Sequence, residues 1–446
     1  MSEIGIGKVA PIAVPAPFGA VKRWAIVCLF ILAYILSYTD RQLLSLLVGP
    51  VRQTFHITDT EFGLLNGLAF ALFYAVLGIP VAKMSDRLPR PSVMAAGVLI
   101  WSLATMACGI VSSFAELFIA RIIVGAGEAS LAPAVYSYIA DIFPREKLGR
   151  ALGIFSLGPF LGTGVAFLLG GIAIAYVTHL GPLSLFGMPL APWQLCFVLI
   201  GIPGLVVALL IVSLVREVAE RGAKAAKPAP SLAEVLAFLW REKAIFFPHM
   251  LGFTLLAMTL FTLMSWSPAA LERLFHLTPH QVGPVLGMII FLCGSAGVLC
   301  SGFLVDMFYS RGKKAAPIIV GVIGGLCSVV PAALIGFVSS QEMMIVVLVV
   351  AFFFASFPLP TSVSVMQIVP PADMRSRVSA IFLFCNSLGG LALGAFLVGF
   401  LNDHVFHSDM AVGTSLAVVT ALSALLGGLL LTRCHGPYLR YLNNKG

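Results

Sequence analysis

The sequence predicts an all-α membrane protein, with twelve transmembrane helices arranged as two pseudo-symmetric six-helix bundles. Three observations carry this. Of 446 residues, 59% are hydrophobic and 10% charged, against roughly 45–50% and about 25% in soluble domains, which is more apolar surface than a soluble fold can hide. The apolar residues fall into runs of the length, about 20 residues, that a helix needs to cross a bilayer core. The second half of the chain also echoes the first at a constant offset.

Twelve spans can be placed, at 24–50, 60–84, 92–113, 114–142, 149–178, 191–215, 245–271, 281–307, 315–338, 342–368, 377–402 and 411–433. The connections between them are mostly short. Before them, residues 1–22 are small, Pro-rich and weakly charged, and are expected as a flexible cytoplasmic tail. The first apolar run is too long, and too polar at its end, for a cleaved signal. Residues 23–215 then form a first bundle, 216–244 a linker, 245–433 a second bundle and 434–446 a cytoplasmic tail. Within the linker, Ser231 and Glu234 have the spacing of a capping box, and SLAEVLAFLW has the periodicity of a helix lying on the membrane surface. Pro133, Pro159, Pro203, Pro268, Pro358 and Pro360 fall inside spans, where kinks are expected.

An even number of spans puts both termini on one side, and the distribution of Lys and Arg says which. Of 27 such residues, Arg41 and Arg121 lie within spans and Arg52 and Arg273 in loops of the opposite side; the others lie at the termini and after even-numbered spans. Both termini are therefore expected in the cytoplasm, in what reads as a bacterial inner membrane. The net charge of +8 reports this topology and attraction to anionic lipid, with no nucleic-acid partner required. The eight cysteines lie in or at the ends of apolar runs, without a CxxC pair, and are read as packing residues.

The internal repeat pairs Pro144–Phe155 (PREKLGRALGIF) with Pro371–Phe382 (PADMRSRVSAIF) at an offset of 227, which aligns Arg150 with Arg377. A second echo pairs Ala82–Arg90 (AKMSDRLPR) with Gly302–Lys314 (GFLVDMFYSRGKK), bringing in Asp306 and Arg311. A duplicated six-helix unit is one of the recurring plans of secondary transporters, whose site lies at the midplane between the halves. The loop Ala82–Arg90 resembles the signature loop of the major facilitator superfamily, G-x-x-x-D-R-x-G-R, with Asp86, Arg87 and Arg90 in place and departures at Ala82 and Pro89. The resemblance implies the major facilitator fold and a charge lock between helices that opens during transport, for which Asp86, Arg87, Arg90, Asp306, Arg311, Arg150 and Arg377 are the candidates. Taken by itself, the same loop reads as a solvated charge cluster.

A charge at mid-bilayer costs on the order of 2.5–3.5 kcal/mol on insertion scales, so it persists where it is paired or functional. Asp40, Arg41, Arg121 and Glu128 are such charges. Asp40 lies 16 residues past Trp24, roughly 24 Å along a helix, and Arg41 points about 100° away from it. Arg121 and Glu128, seven residues apart, share a face, with Gly125, Ala126, Gly127 and Ala129 permitting close approach of a neighbour. These four could form a structural ion-pair network that only fastens helices. Alternatively Asp40 and Glu128 carry protons while Arg41 and Arg121 pair with them or attract an anionic group. An acid in a dry cavity is pushed towards its neutral form by desolvation and towards its charged form by a nearby arginine, so its occupancy can change as the cavity opens.

The runs Tyr38-Thr39-Asp40-Arg41-Gln42-Leu43-Leu44 and Arg121-(3)-Gly125-(2)-Glu128-Ala129-(3)-Pro133 resemble spans 1 and 4 of the Spinster family, within the major facilitator superfamily. That family exports sphingosine-1-phosphate or lysophospholipids, and the resemblance adds Tyr38 to the candidate substrate contacts. Similar pairs occur in anion:cation symporters that take up sugar acids. The second half has no charge deep in a span. What is expected to face a central cavity there is Met258, Phe261, Met264, Trp266, Phe352, Phe353, Phe354, Phe357, Thr361 and Asn386, although stripes of this kind also serve as core or lipid-facing packing. One polar and one apolar wall suit an amphipathic lipid; a sugar acid would call for polar groups from both halves.

No G-x-x-x-x-G-K-[ST] occurs, so no ATP cradle is expected, and the GAG at 125–127 lies in an apolar helix rather than after a strand. Asp403, His404, His407 and Asp409 cluster in an outer loop; they could bind a metal, but read instead as a solvated loop, and no metal is expected. No nucleophile–base constellation suggests an enzyme, and a receptor or scaffold using the same fold would be told apart by a flux assay. The reading is a secondary, proton-coupled transporter of a lysophospholipid or sphingoid-type amphiphile working by alternating access. It would need no cofactor, act as a monomer, and have substrate, protons and membrane lipids as partners. The alternative is a proton-coupled symporter of small organic anions such as sugar acids.

Overall fold

The computed structural model describes residues 18–155, 157–180, 183–185, 188–217, 230–371 and 373–445. Among the described residues, twelve helices are long and apolar enough to cross a membrane: α1 Ala20–Leu46, α2 Asp59–Gly78, α3 Arg90–Cys108, α4 Phe114–Ile142, α5 Arg150–His179, α6 Pro192–Leu214, α7 Lys243–Phe275, α8 Pro279–Ser310, α9 Ala316–Phe337, α10 Gln341–Ile368, α11 Arg375–Val405 and α12 Asp409–Asn444. A short antiparallel pair, β1 Leu183–Leu185 and β2 Met188–Leu190, joins α5 to α6. The chain is a multi-pass integral membrane protein. Of the expected 1–22 tail, residues 1–17 lie outside the described residues, as do Arg221, Lys224 and Lys227 of the linker.

Where helix boundaries differ from those read in sequence, a local cause is visible. α1 stops at Leu46 because Pro50 has no N–H for the Leu46 carbonyl, and a separate turn of helix, Val48–Phe55, follows. α4 pauses at Ala129–Ser130, where Pro133 leaves the Ala129 carbonyl without its helical donor. α7 continues to Phe275, so Arg273, expected in a loop, sits in the last helical turn. α12 belongs to a helix that runs to Lys445 rather than ending in a tail at 434: Cys434 and Tyr438 are buried, and the Tyr441 hydroxyl donates to the Val369 carbonyl at 2.8 Å. A surface helix, Leu232–Arg241, starts with both hydrogen bonds of the Ser231–Glu234 capping box. It packs Val235 and Phe238 inward, the latter edge-on to Phe246 at 5.6 Å, and leaves Leu232, Leu236 and Trp240 exposed.

Glycines determine where the two sets of six helices touch. A Cβ on Gly63 would lie 2.5 Å from the Ala395 carbonyl oxygen, and one on Gly67 2.8 Å from that of Ala392, which welds α2 to α11. A Cβ on Gly287 would lie 2.8 Å from the Gly164 carbonyl oxygen and 3.0 Å from the Leu168 nitrogen, which does the same for α8 and α5. Both seams lie towards the Asp59 end of the bundle. Towards the opposite, Arg90 end, Gly153 of α5 and Gly302 of α8 have nothing within 4 Å of a Cβ. The helices therefore diverge there and leave a cavity. Because backbone atoms cannot yield, Gly287→Val is expected to cost about 1–3 kcal/mol through overpacking. The check is a drop in melting temperature that Gly302→Val does not share.

Candidate functional site

The cavity measures about 920 Å³ and is lined from both halves. One side of α1 supplies Tyr34, Tyr38 and Arg41, positions spaced by four and three residues and so on one helical face. Tyr74, Tyr136, Phe160 and Arg150 are among the other first-half residues on the wall, and Phe261, Met264, Phe303, Phe382 and Leu383 give an apolar wall opposite. At the deep end a chamber of about 20 Å³ is lined by Arg41, Gln42, Ser45, Asn66, Arg121 and Ser265 among others.

Arg41 and Glu128 form the centre of the site. Glu128 is buried, and its Oε2 accepts from the Arg41 Nε at 2.6 Å and from the Ser37 hydroxyl at 2.6 Å, with Arg41 Nη2 also 2.6 Å away. The Arg41 guanidinium carbon lies 4.7, 4.2 and 4.8 Å from the ring centroids of Tyr38, Phe70 and Tyr74. Each such contact contributes about 0.5–2 kcal/mol, which helps to offset desolvation of the charge. Gly125 allows this arrangement, since the Phe70 carbonyl packs against the bare face of α4 there.

Asp40 points elsewhere, as the 100° step between neighbours on a helix requires. Its Oδ2 accepts from the Thr105 hydroxyl at 2.9 Å, while its Oδ1 is buried without a hydrogen-bond partner among the described residues. Arg121 reaches the main-chain carbonyl of Asp40 at 3.2 Å, its Nε has no partner, and among the described residues no carboxylate lies within 4.0 Å of it. The two arginines therefore differ. Arg41 has an acid partner and faces the large cavity, whereas Arg121 is a buried cation beside the deep chamber.

Of the residues expected on the second-half wall, Phe261, Met264 and Asn386 line the cavity, whereas Met258, Trp266, Phe352, Phe353, Phe354, Phe357 and Thr361 do not. Trp266 is buried between helices, donating from its indole N–H to the Ala395 carbonyl at 3.0 Å and packing edge-on to Phe62. Phe357 and Thr361 are buried, and a Cβ on Gly324 of α9 would collide with the Phe357 side chain. Composition could not separate the two sets, because both are mostly apolar residues within apolar runs. Asn66 and Ser265 were missed. Asn66 donates to Ser45 at 3.1 Å and, through a very short bond, to Ser265 across the half interface. Asn66 lies in a π-helical turn, Leu64–Leu68, and Asn386 opens another, Asn386–Ala392; such turns re-aim side chains. Tyr34 was missed as well, though its spacing from Tyr38 and Arg41 was a signal for it.

The two ends of the bundle differ. At the Asp59 end, the buried Asp59 carboxylate accepts both Arg273 Nη1 and Nη2, at 2.6 and 2.7 Å, and the Asn402 amide at 2.7 Å; Arg52 lies at 3.0 Å. Arg52 also reaches Asp409 at 2.9 Å, and the Thr60 N–H and hydroxyl both donate to Asp403 at 2.6 Å. These bonds tie α2 to α7 and α11, closing the cavity at that end. The expected solvated loop is thus a joint: Asp403 belongs to α11, and His404 stacks on Phe400 at 4.6 Å. The carboxylate oxygens of Asp59, Asp403 and Asp409 lie within 4.8 Å of one another, but those of Asp59 are taken by an amide and by two arginines, and the arginines supply the positive charge a metal would.

At the Arg90 end, Arg90 pairs with Asp141 of its own half at 2.6 Å and with Glu217, at the start of the linker, at 2.8 Å. The side chains of Asp86 and Arg87 lie outside the described residues. Asp306 and Arg311 are exposed, Arg377 is half-buried and Arg150 lies on the cavity wall. Among the described residues none of these four forms an ion pair within 4.0 Å. Among the described residues no charge contact between the halves is seen at this end, and the cavity opens here.

The family model described as Major Facilitator Superfamily matches residues 30–395. This chain belongs to the major facilitator superfamily. A relative of similar length, an MFS-type efflux pump of Mycolicibacterium smegmatis (strain ATCC 700084 / mc(2)155), is 30% identical over 432 residues, which is 95% of each chain. A hexuronate transporter of Bacillus subtilis (strain 168) is 24% identical, over 92% of this chain and 97% of its own. Among solved structures, a bacterial homolog of the human lysosomal transporter Spinster, in an inward-facing and unoccupied conformation, superposes with a TM-score of 0.76 at 24% identity, covering 95% of this chain and 98% of that one. The superfamily fold and the expected likeness to Spinster are thereby established, and the chain is a transporter of this superfamily.

Proposed function

We propose that this major facilitator transporter carries an anionic amphiphile, of lysophospholipid or sphingoid type, by proton-coupled alternating access across a bacterial inner membrane, with the Arg90 end and both termini cytoplasmic. The observation that carries the reading is the shape and chemistry of the cavity. Its volume of about 920 Å³ lies at the upper end of the roughly 300–1,000 Å³ of small-molecule sites, with a cation at depth and an apolar wall for a chain.

Coupling follows from Arg41. While Glu128 is ionised it holds the Arg41 guanidinium; a proton on Glu128 removes that claim and leaves the cation free for a substrate anion. Anion and proton then favour each other's binding, as linkage requires. Asp40, buried on Thr105 with one oxygen unpartnered, is the second titrating candidate. Arg121 acts on it through its main-chain carbonyl, and Tyr38 and Asn386 face the substrate. Asp86, Arg87, Arg90, Asp306, Arg311 and Arg377 are assigned to the lock that reforms when this end closes.

One observation favours sugar acids instead: polar groups from both halves, Gln42, Ser45, Asn66 and Ser265, meet beside Arg41. Their chamber of about 20 Å³ has room for about one water molecule, too little for a sugar ring in this conformation. Melting of the protein in lipid nanodiscs, with lysophosphatidic acid or glucuronate added, separates the readings. Ligand at a hundredfold excess over its Kd stabilises by about 2.7 kcal/mol. Lysophosphatidic acid is expected to raise the melting temperature and glucuronate to leave it unchanged; the reverse result would overturn the proposal.

A further inference from the structure

We propose that Arg150, at the cavity mouth, is the first contact for the substrate's anionic group, which it passes inward to Arg41. The inference rests on the anionic-amphiphile reading and assigns a substrate role to a residue so far grouped with the conformational lock.

Among the described wall residues, Arg41 and Arg150 are the only charged side chains, and neither is acidic. Glu128 neutralises Arg41 at depth, so among these residues the unpaired charge of the lumen is that of Arg150 at the mouth; set against low-dielectric walls, it draws in anions and repels cations. Position separates the two residues. Arg150 lies with its guanidinium carbon 5.7 Å from the ring centroid of Trp24, in the first turns of α1. Arg41 lies 17 residues further along the same helix, about 25 Å at ~1.5 Å per residue.

The Arg150 site is built. Trp24 is held edge-on by Phe143 at 5.1 Å, and Trp24 supports one face of the guanidinium. A contact of this range uses none of the guanidinium N–H groups, which can make two parallel bonds to an oxyanion, a geometry that a lysine cannot match. The way inward from Arg150 is clear, because Gly153, on the wall three residues along, has nothing within 4 Å of a Cβ. Arg377, the repeat counterpart of Arg150, is absent from the wall, so this function belongs to the first half alone.

The test uses the full chain in phosphatidylcholine nanodiscs and three probes: fluorescent lysophosphatidic acid, fluorescent monoacylglycerol of the same chain length, and glucuronate. Association and dissociation are followed at low and high salt for wild type, Arg150→Gln, Arg150→Lys and Arg377→Gln. For Arg150→Gln we expect a fall of about tenfold in the association rate of lysophosphatidic acid, within the range that steering supplies. Most of the salt dependence should go with it, while dissociation and both rates for monoacylglycerol stay unchanged. Arg150→Lys should keep the salt dependence, and Arg377→Gln, which acts through the lock, should change lysophosphatidic acid and monoacylglycerol alike. In Arg150→Gln an equal change for charged and neutral probes, or the same charge-selective effect in Arg377→Gln, would make Arg150 part of the lock and overturn the proposal, as would an unchanged rate for lysophosphatidic acid. Wild type that binds glucuronate but neither amphiphile would sink the amphiphile reading and leave Arg150 to be judged by the glucuronate rates. Binding of none of the three would sink both.

Discussion

Glu128→Gln is expected to abolish the response of transport to an imposed proton gradient while leaving a folded protein that still equilibrates substrate. The glutamine keeps the volume of the side chain and an oxygen for Ser37, but it carries no charge at any pH. Removing one partner of a buried ion pair costs on the order of 3–5 kcal/mol when the remaining charge has nothing else to meet. Arg41 has three aromatic rings within 5 Å and an open cavity on one side, so the cost should fall well below that. Asp40→Asn, which mimics a permanently protonated carboxyl beside Thr105, should likewise flatten the pH dependence. Flux into proteoliposomes, with and without a pH step, decides both. If Glu128→Gln and Asp40→Asn each kept wild-type pH dependence, the four buried charges would be only a fastening network.

Asp59→Asn should open the other end. The carboxylate is fully buried and meets Arg273 through two bonds, Arg52 at 3.0 Å and Asn402 at 2.7 Å. It is the anion that two cations and a donor on α11 require. Neutralising it leaves both arginines competing for Asp409, and the loss falls on the conformation in which the two halves meet at this end. Even half of the 3–5 kcal/mol of a broken buried pair would change the ratio of closed to open forms by more than tenfold. Spin-label distances between α2 and α11 at their Asp59 ends are the measurement, with a longer population expected in Asp59→Asn. Reversing the pair, Asp59→Arg with Arg273→Asp, should restore part of the short population; unchanged distances in the single variant would show that the glycine seams alone hold this end shut.

Much of the site was legible in the sequence for a local reason. A charge inside an apolar run is conspicuous wherever it occurs, and Asp40, Arg41, Arg121 and Glu128 all proved buried or nearly so. Their partners were not legible. The seven-residue spacing of Arg121 and Glu128 describes one helix, whereas Glu128 bonds to Arg41 on another, α1. Asp59 went unnoticed because it sits at a span end, where an acid is ordinary. What makes it central are Arg273 and Asn402, 214 and 343 residues away. The cavity wall was half right, since hydropathy says that Phe261 and Trp266 are both buried and says nothing about which one borders a void.

The sequence by itself determined the number of spans, the surface helix and its cap, the duplication, and the set of charges that must be justified inside a membrane. Each follows from a rule that acts within one turn or one run: apolar length against bilayer thickness, backbone groups that need partners, the cost of an unpaired charge. Only the tertiary structure decided which acid holds which arginine, which end is closed, and that the described cavity wall carries two cations and no acid. Those are properties of surfaces brought together by glycine seams between distant segments, and no local rule specifies the distance between them.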